Sequence, residues 1–88
     1  MNVSSLVSYL GCLSRKRPCS ELAAETLDIT CEDLLCQGPD LDRWMVEQML
    51  MRQLMYSAGG NNDPESDIKE ARSQILAILD EAERYIGR

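Results

Sequence analysis

Histidine and phenylalanine are both absent from the 88 residues, only three prolines occur, and aromatic residues make up 5% of the chain. Without histidine the commonest general base near neutral pH is missing, and no Cys–His or Ser–His–Asp arrangement can be assembled. The chain also lacks a Gly-rich phosphate loop, and its many Asp and Glu residues include no pair set in apolar surroundings that would drive two pKa values apart. These absences predict a protein that is not an enzyme, with no catalytic residues and no cofactor. No apolar run approaches the ~18 residues of a membrane span. The start Met1-Asn2-Val3-Ser4-Ser5 has no basic n-region of a signal peptide, so the expected location is cytoplasmic, away from membranes.

Four cysteines, at 12, 19, 31 and 36, include no CxxC pair, and no histidine can complete a zinc set. Cys31 and Cys36 fall in one expected helix, where five residues turn them ~140° apart and out of bridging distance. Four reduced thiols and no metal are therefore expected.

What is present is acid. Fifteen Asp and Glu against nine Lys and Arg give a net charge of −6, unevenly distributed. Residues 1–18 carry +3, all from Arg15, Lys16 and Arg17, whereas residues 19–42 carry −7 with no basic residue. Such a field repels nucleic acid and attracts basic surfaces. Glu21, Glu25, Asp28, Glu32 and Asp33 are the candidate contacts to a basic protein partner. A solvated helix face is the plainer explanation of any acidic stretch, but seven acids without counter-charge over 24 residues exceed what solubility requires.

Hydrophobic spacing is helical throughout, and β-type alternation is absent. The expected architecture is all-α: a single domain over residues 1–88, forming a small bundle or orthogonal array of three to four helices. The first helix runs from Val3 to about Leu13 on a Val3, Leu6, Val7, Leu10, Leu13 stripe, ending in the basic loop before Pro18. Ser20 caps a second segment that breaks near Asp28-Ile29-Thr30. Gly38-Pro39 turns the chain, and Asp40 caps a third helix from Leu41 to about Ser57. Residues 58–62, Ala-Gly-Gly-Asn-Asn, form a flexible joint. Asp63 then caps a last helix with Pro64 at its first helical position and Ile68, Ala71, Ile75, Ile78, Ala82 and Tyr85 on one stripe.

The third helix carries more apolar residues than one core face needs. Met45 and Met49 are expected in the core. The anchoring of an interface falls to Trp44, Met51, Met55 and Tyr56, some of which should meet a partner or a second copy of the chain in a homodimer.

The run from Leu22 to Leu35 resembles the helix-turn-helix of small repressors. Ala24 stands where two helices cross, Leu27 and Ile29 flank the turn, and Thr30 begins the recognition helix that Leu34 anchors. The resemblance implies a small transcriptional regulator using residues 20–36. In length and helical layout the chain is also similar to enterobacterial biofilm regulators of the YmgB type. Yet Asp28 stands at the usual turn glycine, and the helix that would enter the groove presents Glu32 and Asp33 and no base-reading cation, which disfavours DNA. In size and charge the chain is similar to small acidic helical proteins of phages and mobile elements, including anti-CRISPR inhibitors. The expected function is therefore a non-enzymatic protein-binding module, an inhibitor or adaptor. A secretion-type chaperone or assembly subunit is a third class compatible with the apolar third helix.

Overall fold

The computed structural model describes residues 1–87, with the backbone alone at Asn61. It contains four helices: α1 (Val3–Lys16), α2 (Glu21–Gln37), α3 (Arg43–Asn61) and α4 (Glu65–Ile86). Helical structure makes up 83% of the described residues, and no strand occurs among them. The all-α bundle expected from hydrophobic spacing is the fold observed.

α1, α2 and α3 each start where a short side chain satisfies a free backbone N–H. Asn2 Oδ1 accepts from the Ser5 N–H (3.0 Å), Ser20 Oγ from Ala23 (3.2 Å), and Asp42 Oδ1 from Met45 (3.1 Å). Asp42, not Asp40, therefore caps α3. Asp40 is occupied elsewhere, because the chain start lies against this loop and residues 2 and 40 form an isolated β-bridge. The Val3 N–H donates to the Pro39 carbonyl (2.9 Å) and the Leu41 N–H to that of Met1 (3.0 Å). At α4 the cap shifts by one residue from Asp63 to Pro64, which offers no side-chain hydrogen bond. Pro18 acts as expected: the preceding Arg17 is extended (φ −95°, ψ 137°) and α1 stops there.

One core joins the helices. Leu6 and Leu10 of α1, Leu27 and Leu34 of α2, Val46, Leu50 and Leu54 of α3, and Ile75, Ile78 and Leu79 of α4 are all buried. α2 and α4 each pack on every other helix, while α1 and α3 do not pack on one another. α3 is thus a peripheral helix. Ion pairs tie the ends together: Arg17 at the end of α1 pairs with Glu81 of α4, and Arg43 at the start of α3 pairs with Asp80 and Glu83 of α4. Tyr9 stacks on Tyr85 with ring centroids 5.3 Å apart.

Two breaks expected from the sequence do not occur. α2 is continuous through Asp28-Ile29-Thr30, so residues 20–36 hold no turn and form no helix-turn-helix. The reason is burial: Thr26, Leu27, Thr30 and Leu34 form an unbroken inward face across the expected break. Thr26 also places its hydroxyl on the Leu22 carbonyl (2.8 Å), back along the helix.

The second is the glycine pair. α3 runs through Gly59 and Gly60, and the turn is made instead by Asn62 in the left-handed region (φ 55°), whose N–H returns to the Ala58 carbonyl. A Cβ at Gly59 or Gly60 would meet nothing within 4 Å, and neither has a positive φ. Replacing both with alanine is therefore expected to raise the unfolding free energy by about 1–2 kcal/mol in urea titration, the helix-propensity difference summed over two sites. A joint that is open in solution would give no such gain.

Candidate functional site

Four of the five candidate acids form one line. On α2, Glu21, Glu25, Asp28 and Glu32 are spaced four, three and four residues apart and all are exposed. That spacing keeps them within roughly 60° of arc over about 16 Å of helix. They make a straight acidic ridge, and Leu35, 56% exposed, continues it. No described cation forms an ion pair with Glu21, Asp28 or Glu32. Arg15 and Lys16 lie across a groove from Asp28 without pairing to it. Asp33 is exposed too, but it sits roughly 100° around the helix from the ridge, on the side facing α3.

The outer face of α3 supplies the apolar counterpart. Trp44 is 65% exposed, Met55 62% and Tyr56 72%. These three of the four candidate anchors therefore lie at the surface. Met51 does not: it is half-buried and packs against the core. Met45, expected in the core, is instead 39% exposed, because Val46, Leu50 and Leu54 define the inward face and Met45 falls outside it. Met49 is half-buried against the core.

An open groove of about 630 Å³ runs between α2 and this face, lined by Asp33 and Gln37 on one side and by Trp44, Met45, Gln48 and Arg52 on the other, with Tyr56 at its far end. Sequence reasoning missed Gln48 and Arg52. They could have been found by fixing Val46, Leu50 and Leu54 as the buried arc and reading the opposite side of the wheel.

The four cysteines are free thiols, and Cys31 and Cys12 line the groove between α1 and α2. Burial, reinforced by the neighbouring Asp28 carboxylate, pushes the Cys31 thiol up to about 11. An acid whose folded pKa is raised stabilises the fold fully below its unfolded pKa and loses that contribution as pH rises through the folded value. In the neutral range Cys31 is thus a packed thiol and a poor nucleophile. Iodoacetamide at pH 8 should alkylate it about a hundredfold more slowly than an ordinary thiol, two pKa units being two decades of thiolate. Mass-spectrometric time courses on the intact chain would read this directly. Comparable rates at Cys31 and an unfolded cysteine peptide would place Cys31 in water.

Among the described residues no helix is long and apolar enough to cross a membrane. Compared with protein-family models, with curated proteins and with solved structures, the chain matches none.

Proposed function

We propose that this protein is a non-enzymatic binding module that occupies a basic surface of a protein partner, as an inhibitor or adaptor does. The observation that carries this is the acidic ridge. Four carboxylates point outward from one rigid helix, so their charge adds along a line instead of dispersing around the molecule. Like charges three and four residues apart destabilise a helix by roughly 0.2–0.5 kcal/mol per pair, so the ridge lowers the stability of α2. A surface kept at such a cost is supported as a binding surface more than as a solubilising one. The outer face of α3 offers a second, apolar surface beside it, with aromatic and methionine side chains of the kinds that anchor interfaces.

Tagged protein incubated with lysate of its source cell, with and without nuclease, tests this. A single stoichiometric protein retained after nuclease, and lost at high salt, is the expected result. Enrichment that disappears with nuclease, or retention indifferent to salt, would overturn it.

A further inference from the structure

The outer face of α3 is palindromic. Trp44 and Met45 at one end are matched by Met55 and Tyr56 at the other, and Gln48 and Arg52 lie between them, each pair equidistant from position 50. At 3.6 residues per turn these six positions share roughly 120° of arc, centred between Gln48 and Arg52. A pattern that reads the same in both directions is what a twofold axis requires, because an isologous interface must complement itself. We infer that this face pairs with the same face of a second copy of the chain, the two α3 helices antiparallel about position 50. The inference refines the assignment of α3 as a binding face by naming its occupant, and it is independent of what the α2 ridge binds.

In that arrangement Trp44 lies on Met55 of the second copy and Met45 on Tyr56, so each aromatic ring meets a thioether at both ends of the interface. The polar centre is complementary as well. Asp33 and Arg52 line the same groove, yet neither forms an ion pair within the chain. Across the twofold axis Arg52 of one copy comes within reach of Asp33 of the other, giving two symmetry-related pairs. Area is sufficient. Trp44 and Tyr56, 65% and 72% exposed, present roughly 300 Å² per protomer at the 150–250 Å² such side chains bury. The methionines, Gln48, Arg52 and the α2 wall bring the total above the ~1,000 Å² that separates specific interfaces from incidental contacts. The ridge, turned away from Asp33 on α2, stays exposed on both copies.

Sedimentation equilibrium of the full chain from roughly 1 µM to 1 mM should give a mass twice 9.9 kDa at the upper end. Trp44→Glu should weaken the dimer at least tenfold, since it puts a charge against Met55. Arg52→Asp and Asp33→Arg should each do the same, and the double variant should recover the dissociation constant to within about threefold of the parent. All three positions are exposed, and far-UV circular dichroism confirms the fold of each variant. A monomer at every concentration overturns the proposal. So does a dimer indifferent to Trp44→Glu and Arg52→Asp, or a double variant no better than the singles. None of these outcomes touches capture of a basic partner by the ridge, which the lysate experiment reads separately.

Discussion

Converting the α2 ridge to its uncharged isosteres, with Glu21→Gln, Glu25→Gln, Asp28→Asn and Glu32→Gln combined, is expected to weaken binding of the basic partner about a hundredfold. The substitutions take the net charge from −6 to −2 without changing side-chain size. Each exposed charge facing an opposite one across an interface contributes roughly 0.7 kcal/mol at physiological salt, so four account for about 2.8 kcal/mol, two decades of affinity. The change should fall partly on the association rate, and the dependence of affinity on salt should flatten with it. Folding stability should move by less than about 1 kcal/mol. Relief of like-charge pairs along the helix favours the variant, whereas loss of Glu21 from the first turn of α2 removes a favourable interaction with the helix dipole. Unchanged affinity in a folded variant would show that the ridge is only a solvated face.

Arg43 carries the largest expected effect on stability. Its side chain is two-thirds buried and faces three carboxylates: Asp80 (2.5 Å) and Glu83 on α4, and Glu47 (3.7 Å) one turn along its own helix. The Glu83 hydrogen bond, followed by contributions from Asp80, raises its pKa further above the ordinary guanidinium range, against the opposing effect of burial. A base with a raised folded pKa stabilises the fold fully below its unfolded pKa and loses that only as pH rises through the higher value. Over any ordinary working range, then, Arg43 contributes at full strength on the alkaline side. Removing it as Arg43→Ala unpairs three neighbouring acids at once. Those acids are partly exposed, so the loss falls below that of a fully buried pair, at about 2 kcal/mol. For a domain whose total stability is roughly 4–13 kcal/mol, this should lower Tm by about 8–16 °C. Arg43→Lys should recover less than half of it, because an ammonium cannot present the planar fork that reaches two α4 carboxylates together. A melting temperature unchanged in Arg43→Ala would mean that the α3–α4 junction is held by packing alone.

The parts of the fold legible in the sequence were those decided locally. The stripe Ala71, Ile75, Ile78 and Ala82 is buried as its spacing required, and Ser20 caps α2 as its chemistry required. Pro18 ends α1 for reasons internal to two residues. What escaped was decided at a distance. Asp40 looks like a cap, and only the arrival of residues 1–3 at the same loop reassigns it. Asp28-Ile29-Thr30 has the composition of a helix break, but α1, α3 and α4 all pack on α2, and the buried face through Thr26, Thr30 and Leu34 overrides weak propensity. Gly59-Gly60 is helical because the chain's actual stop, Asn62, lies two residues on. In the candidate site the five acids were legible as composition, whereas the line through Glu21, Glu25, Asp28 and Glu32 and the separation of Asp33 from it both depend on α2 running unbroken through Asp28-Ile29-Thr30. The inward turn of Met51 and the outward turn of Met45 depended likewise on α3 being peripheral, which periodicity does not reveal.

The position of the single tryptophan has an optical consequence. An indole that is largely in water in the folded monomer emits much as it does in the denatured chain, so intrinsic fluorescence should be nearly blind to unfolding of the monomer. The same indole should shift to the blue, and become shielded from iodide, when anything covers α3. Trp44 therefore separates two events that most small domains report together. Circular dichroism follows the loss of the helices, and fluorescence follows the occupancy of one face.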